Sequence, residues 1–358
     1  MMDSLDRQLV HALHLDGRAP LRRIADVLGV SDQTVARRYQ RLQTSHGLRV
    51  LGRVDAGRAG QSEWVIRLRC APGTSSPIAE MLAKRPDTRW VRIGSGGAEV
   101  VCNVQSPTDA DRDALLLDRL PATRSAAVIG AHCILHTFRG GPSTWQVLTD
   151  ALTDDQTAML TPHGHRRPHA GEHASRTVNS AGDPVPLAPE RSGPERSDPE
   201  RSGPEPLDHR PFDTTDQVLI DELAQDGRAS HAALARATRC NEATVRRRIA
   251  RLRAAGTIYF DIDIDPDTLG YRFASLLWIN VEPARLAAAG QALAELPDIP
   301  FVAATSGPTN LLASILSTGP TDLFGQLHRV GTIGGLVAVE SAPILRTVKK
   351  VGPHGGHN

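Results

Sequence analysis

Leu5, Leu9, Val10 and Leu13 recur at three- and four-residue spacing, which predicts an amphipathic helix near the start of the chain. Asp16-Gly17 ends it, with the glycine expected to supply a left-handed cap. Leu21, Ile24, Ala25 and Leu28 predict a second short helix, and Gly29-Val30 a turn. Ser31 is a good N-cap for a third helix running to about residue 45, with Asp32 at its positive end. The same succession returns as helices at 218–224 and 231–238, a turn at Arg239-Cys240, and a third helix from the N-cap Asn241 to about residue 255. Two short helices joined by a tight turn, behind a leading helix, form the helix-turn-helix pattern.

Each trihelical unit is followed by a short strand, expected at 48–55 and 258–265, and then by a β-α-β-β-α-β order. In the first half the elements are expected at 64–70, 77–84, 90–94, 99–105, 109–120 and 126–138. In the second half they fall at 274–281, 285–295, 301–306, 311–317, 322–330 and 335–345. Pro86-Asp87 and Pro297-Asp298 mark the same turn in both, and Ser106-Pro107-Thr108-Asp109 and Gly319-Pro320-Thr321-Asp322 both read as N-caps. This order is the split β-α-β, or ferredoxin-like, pattern. A further apolar series, Trp145, Leu148, Leu152, Met159 and Leu160, predicts a trailing helix packed back on the first half.

The two halves are copies of one unit. Asp16-Gly17-Arg18-Ala19 recurs as Asp226-Gly227-Arg228-Ala229, an offset of 226 − 16 = 210 residues. At that same offset Thr34-Val35, Arg37-Arg38 and Arg41-Leu42 recur as Thr244-Val245, Arg247-Arg248 and Arg251-Leu252. Residues 163–211 are of another kind, almost without large apolar side chains and holding the near-repeat around Pro189-Glu190-Arg191-Ser192. Such a segment buries too little surface to offset its ordering entropy, so it is expected to be a disordered linker. His163, His165, His169 and His173 fall at its edge without a framework to hold a metal geometry, and residues 351–358 are expected to form a flexible tail.

Composition narrows the chemistry. The 358 residues exceed one ordinary core and suit several domains. Net charge is only +1, so a nucleic-acid site has to come from locally clustered arginine rather than from the whole molecule. The four cysteines, Cys70, Cys102, Cys133 and Cys240, lack metal or redox spacing and fit a reducing compartment. No signal-like or membrane-length apolar run is present, so a cytoplasmic protein without membrane contact is expected.

The third helices carry the informative residues. Val35, Tyr39 and Leu42, and in the second copy Val245, Ile249 and Leu252, share one face and are expected in the core. At about 100° per residue, Thr34, Arg37, Arg38 and Arg41 cluster on the adjoining face, as do Thr244, Arg247, Arg248 and Arg251. Arginine pairs bidentately with guanine or with phosphate, and threonine meets a thymine methyl, so this stripe is the expected contact with double-stranded DNA. Gln33, Ala36, Ala243 and Glu242 lie near the helix starts, and Arg236, Arg239, Arg246 and Arg253 add charge to the second copy. Gln33 against Ala243, and Ala36 against Arg246, predict unequal half-sites in an imperfect palindrome. Nucleophile–base pairs, a phosphate loop and metal spacing are not found, so neither an enzyme nor a bound metal or cofactor is expected.

A trihelical unit opening on Leu5-Asp6 and Asp16-Gly17-Arg18-Ala19, a linking strand and a ferredoxin-like domain together resemble the Lrp/AsnC (feast/famine) family of transcriptional regulators. The resemblance occurs twice and covers nearly the whole chain outside the linker and tail. It implies an α+β fold of two winged or trihelical helix-turn-helix domains, each followed by a ferredoxin-like ligand-sensing domain. The expected domains are 1–47, 48–162, the linker 163–211, 212–257, 258–350 and the tail 351–358. The resemblance also implies pairing of the ferredoxin-like domains, within one chain as a pseudo-dimer or between chains as a homo-oligomer. A small effector, often an amino acid, is implied near the Gly turn between the second and third strands, where the family usually has Thr-Gly-x-x-Asp. Here those turns read Ser95-Gly96-Gly97-Ala98-Glu99 and Ser306-Gly307-Pro308-Thr309-Asn310, which nominates Ser95, Gly96, Glu99, Ser306, Gly307, Thr309 and Asn310. The main function expected is a sequence-specific regulator. The alternative is a weakly specific, nucleoid-like organiser of DNA using the same arginines.

Overall fold

The computed structural model describes residues 2–106, 108–119, 126–140, 151–161 and 212–350. The expected linker with its histidines, Trp145, Leu148 and the 351–358 tail lie outside the described residues.

The first trihelical unit comprises α1 (Ser4–Leu15), α2 (Leu21–Leu28) and α3 (Asp32–His46). A reciprocal capping box starts α1: Asp6 N donates to Asp3 Oδ1 (2.9 Å) and Asp3 N donates to Asp6 Oδ2 (3.2 Å). Leu9, Leu13, Ile24, Val35 and Leu42 are completely or almost completely buried and form its core. Gly29 makes the turn between α2 and α3 at φ +66°, whereas in the second copy the non-glycine Arg239 takes the same role at φ +55°. The expected left-handed cap at Gly17 is corrected: α1 ends on an extended Asp16, and Gly17 is not among the residues with positive φ.

In the first half, β1 (Arg49–Val54), β2 (Ser62–Cys70), α4 (Ser75–Ala83), β3 (Thr88–Gly94) and β4 (Glu99–Ser106) follow. The expected single helix at 109–120 is α5 (Asp109–Asp113) continued by a π-helical turn over Ala114–Arg119. After β5 (Ala126–Arg139), α6 (Asp154–Leu160) returns to the first trihelical unit, where Leu152 and Leu160 join its core. Arg23 Nη2 donates to Met159 O (2.5 Å) and Gln156 Nε2 to Val27 O (3.2 Å), which fastens α6 along α2.

The second half repeats the order with α7 (Thr214–Gln225), α8 (His231–Thr238), α9 (Glu242–Ala254), β6 (Ile258–Asp263), β7 (Phe273–Val281), α10 (Leu286–Glu295), β8 (Phe301–Thr305), β9 (Leu311–Ser317), α11 (Pro320–Gly331) and β10 (Leu336–Lys349). The linking strands β1 and β6 pair with each other, antiparallel, from Arg49 opposite Asp263 to Val54 opposite Ile258. They also cross over: Val50 and Val54 enter the core of the second trihelical unit, while Ile262 and Ile264 pack into that of the first.

The eight remaining strands close into one barrel in the order β10-β3-β4-β2-β5-β8-β9-β7. Each half supplies four consecutive strands of it, and the seams are β3 with β10 and β5 with β8. Its interior is lined by Val65 and Val101 from one half and by Leu276, Trp278, Leu312 and Ala342 from the other. Ile78 and Leu82 of α4 cover the outside of the first half, and Leu293 of α10 with Leu323 and Val330 of α11 cover the second. Closure removes the free edges that two separate four-stranded sheets would expose. It also makes the two halves one body within a single chain.

Candidate nucleic-acid interface

The third helices, α3 and α9, start on matching caps. Ser31 Oγ accepts from Thr34 N (3.2 Å), and Asn241 Oδ1 accepts from Thr244 N (2.8 Å). Val35 and Leu42, and Val245, Ile249 and Leu252, point into the cores as expected. On the other faces Gln33, Arg37, Arg41, Ala243, Arg246, Arg247 and Arg251 are exposed, while Thr34, Arg38, Thr244 and Arg248 are half-buried. The Thr34 hydroxyl is already engaged with Ser31 Oγ at 2.8 Å.

The arginine stripe divides into two groups. Arg38 Nη1 lies 2.9 Å from Asp6 Oδ1 and also pairs with Asp3 Oδ2 (2.5 Å), while Arg41 Nη2 pairs with the other oxygen of Asp6. The second copy repeats this: Arg248 Nη1 meets Asp216 Oδ1 (2.8 Å) and Asp213 Oδ2 (2.6 Å), and Arg251 Nη2 meets Asp216 Oδ2 (2.6 Å). Asp6 and Asp216 are buried at 0% and 4% exposure, so these arginines neutralise carboxylates that have lost their water. The bond to Asp3 raises the Arg38 guanidinium above its ordinary value, and the bond to Asp213 does the same for Arg248. In return, the hydrogen bond from Arg38 holds Asp3 below the usual carboxylate range, as Arg248 holds Asp213. Arg37 and Arg247 are the other group: exposed, and without an ion pair among the described residues. The acidic partners escaped the sequence reading, although the signal was present, since Asp3 and Asp6 recur as Asp213 and Asp216 at the same 210-residue offset (213 − 3 = 210).

The two Gly turns both lie against the other half, but their side chains do different things. In the first, Ser95 Oγ donates to Glu99 Oε2 (3.2 Å), and Glu99, only 3% exposed, receives Arg67 Nε at 2.5 Å. Arg67 continues to Glu340 of β10 and lies over the Trp278 ring at 4.6 Å. In the second, Asn310 is consumed by strand pairing: its Oδ1 accepts from Val281 N (2.9 Å) and its Nδ2 donates to Val281 O (2.7 Å). Ser306 Oγ accepts from Cys133 N (2.8 Å), and Ser306 O contacts His132 Nδ1 at 2.9 Å. Gly307 sits at φ +105°, where a Cβ would come within 2.7 Å of His132 Nδ1. Thr309 carries a buried hydroxyl with no partner among the described residues and gives its carbonyl to Thr305 Oγ1 (3.0 Å). Ser95 and Gly96 are exposed. Among the described residues, a hollow lined by Trp64, Ser106 and Arg112 and another lined by Gly52, Arg53 and Leu223 are open to solvent and too tight to admit even a water molecule. No group of three or more His, Cys, Asp or Glu side chains among the described residues is placed to hold a metal ion. No helix among them is long and apolar enough to cross a membrane.

Residues 2–43 and 212–253 each match the AsnC-type helix-turn-helix domain. An uncharacterised HTH-type transcriptional regulator of Pyrococcus abyssi is 30% identical over 139 residues, which cover 87% of that protein and 38% of this chain. The chain belongs to the Lrp/AsnC family. Among other members, the HTH-type transcriptional regulator FL11 of Pyrococcus horikoshii is 29% identical over 136 residues, covering 90% of its own length and 38% of this chain. Each such relative therefore matches about one unit of a family member that carries two. Over the full length, the siroheme decarboxylase NirDL, solved with an iron-uroporphyrin III analogue, shares the fold at a TM-score of 0.59 and 10% identity, covering 98% of this chain and 93% of that one. That match corrects the expectation that the chain is not an enzyme. An enzyme carries this same tandem Lrp/AsnC-like architecture from end to end, so the absence of a familiar catalytic motif in the sequence does not exclude catalysis.

Proposed function

We infer that this chain regulates transcription by binding duplex DNA through α3 and α9, on two unequal half-sites. The observation that carries the reading is the pair of exposed arginines, Arg37 and Arg247, at matching positions on two third helices of AsnC-type domains. Arg38, Arg41, Arg248 and Arg251 hold the helices to their own domains through the buried Asp6 and Asp216. Arg37, Arg247 and Arg246 are then the groups free to approach bases, with Gln33, Thr34, Ala243 and Thr244 at the helix starts. Arg41 and Arg251 remain exposed enough to meet phosphate as well. Two helices in successive major grooves would place the half-sites about 34–36 Å apart or a multiple of that. Both halves of the palindrome are read by one chain in the cytoplasm, since the barrel already pairs its two ferredoxin-like halves. Enrichment of duplexes from a random pool, followed by footprinting, tests this. A short protected site with a mutable core supports a regulator, and protection spreading over every sequence supports the nucleoid-like organiser instead.

A second reading adds a small-molecule effector at the first Gly turn. Arg67 there links Glu99 of one half to the half-exposed Glu340 of the other, so a ligand carboxylate can compete for Arg67 and loosen the seam. The second turn is a poorer site, because Ser306 and Asn310 are spent on backbone pairing. Titration calorimetry with a panel of amino acids, and with uroporphyrin III because of the ligand in NirDL, tests this reading. Binding that survives Arg67→Ala unchanged would refute it.

A further inference from the structure

The Asp-Gly-Arg-Ala repeat joins the two trihelical units. Arg18 donates from Nη1 to Gly227 O (2.6 Å) and from Nη2 to Ala229 O (3.0 Å). Arg228 returns the same pattern, Nη1 to Gly17 O (2.6 Å) and Nη2 to Ala19 O (2.9 Å). Each guanidinium thus spans two carbonyls of the opposite copy's motif, a self-complementary contact of the kind found on a two-fold axis. The motif is shaped for it from within, since Asp16 Oδ1 accepts from Arg18 N (3.1 Å) and Asp226 Oδ1 from Arg228 N (2.8 Å).

The glycines are there for close approach rather than for a left-handed backbone. A Cβ on Gly227 would lie 2.9 Å from Val50 O and 3.0 Å from the backbone of Leu51, and Gly227 N itself donates to Val50 O (2.8 Å). A Cβ on Gly17 would meet Val50 Cγ1 at 2.8 Å and Phe260 Cβ at 3.0 Å. The recognition helices are tied into the same contact. Arg228 stacks on the ring of Tyr39, a residue of α3, at 5.4 Å, and Arg253 near the end of α9 pairs with Asp16 at 3.1 Å.

We propose that Arg18 and Arg228 are positioning residues that lock α3 and α9 at one separation and thereby set the half-site spacing this chain accepts. The proposal rests on the DNA-binding reading above. A rigid pair of recognition helices accepts one spacing, whereas a hinged pair adapts to several and gives up the advantage of preorganisation. The lock requires arginine, because a planar fork can serve two carbonyls at once and a lysine ammonium presents a single point charge.

Two measurements on the full chain test it. A duplex enriched from a random pool by the wild-type protein is lengthened by two base pairs between its half-sites. The wild type should lose affinity at least about tenfold, and Arg18→Lys/Arg228→Lys less than about threefold. Spin labels on Ser45→Cys and Ala254→Cys, with Cys133 and Cys240 replaced by Ser, should give one narrow distance distribution in the wild type. The same labels should give a broad one in the double-lysine variant, whose fold is checked by its melting transition. A distribution that stays narrow in the variant overturns the proposal whether or not DNA is bound. Failure of the wild type to enrich any duplex overturns the DNA-binding reading instead, and the spin-label distances still decide for or against the lock.

Discussion

Arg38 of the third helix reaches back to Asp6 of the first, at 2.9 Å, and closes the helix-turn-helix domain on a carboxylate that is completely buried. The relationship recurs as Arg248 and Asp216 in the second copy. A charge on the outer side of the third helix is thus part of the domain's internal structure. Replacing Asp6 with Ala leaves Arg38 and Arg41 without that partner, and the half-buried Arg38 bears most of the loss. Loss of about 1–3 kcal/mol of stability is expected, below the cost of breaking a fully buried pair because both arginines reach solvent. Denaturant unfolding of Asp6→Ala against the wild type checks it.

Arg37→Ala and Arg247→Ala should behave in the opposite way. Both side chains are exposed and without an ion pair among the described residues, so the melting temperature should stay close to wild type. Affinity for an enriched duplex should fall by about 1–3 kcal/mol for each base that is no longer read. Arg248→Ala should lower stability and binding together. Parallel melting and anisotropy titrations separate the two classes.

Asp3 and Asp213 predict an acid limb. Their carboxyls are held below the ordinary value of 3.8 by Arg38 and Arg248. A depressed folded-state value means that the stabilisation is present above the unfolded value and is lost as pH falls through the folded one. Stability of the trihelical domains should therefore decline below about pH 4, and Asp3→Asn/Asp213→Asn should flatten that decline. Urea midpoints measured between neutral and acidic pH provide the comparison.

The barrel seam predicts a spectroscopic change. Arg67 lies over the Trp278 ring at 4.6 Å and neutralises Glu99, which is 3% exposed. Arg67→Met removes the cation from the ring and leaves a buried carboxylate uncompensated. A shift in tryptophan emission and a loss of about 2–4 kcal/mol are expected. An unchanged spectrum and an unchanged unfolding midpoint would show that this contact holds nothing together.

Much of this architecture is legible in the chain. The helices follow from apolar spacing, and α8 and β9 fall on the expected residues because their turn and cap signals are local. The misread features depend on distant partners. Gly17 looked like a helix cap, yet its backbone approaches Val50 and Phe260 of the linking strands. The strands 48–55 and 258–265 were legible as strands, but not their pairing with each other or the exchange of Val50 and Ile262 between the two cores. Asn310 stands where Glu99 stands in the first half, and only the structure shows one closing a strand while the other closes an ion pair. The arginine stripe was correctly placed on the third helices, but periodicity alone cannot tell which of its members are committed to Asp6 and Asp216.

The function inferred for this chain turns on whether α3 and α9 meet duplex DNA. The most direct measurement is a titration of the full chain with an enriched duplex at several salt concentrations, repeated with Arg37→Ala/Arg247→Ala. Tight binding is expected, with an association constant whose logarithm falls linearly with the logarithm of salt. The double variant should bind the enriched duplex more weakly, by about 1–3 kcal/mol for each base that is no longer read, with an unchanged melting temperature. Equal affinity of wild type and double variant for the enriched duplex, or no retention of any duplex at low ionic strength, would contradict it.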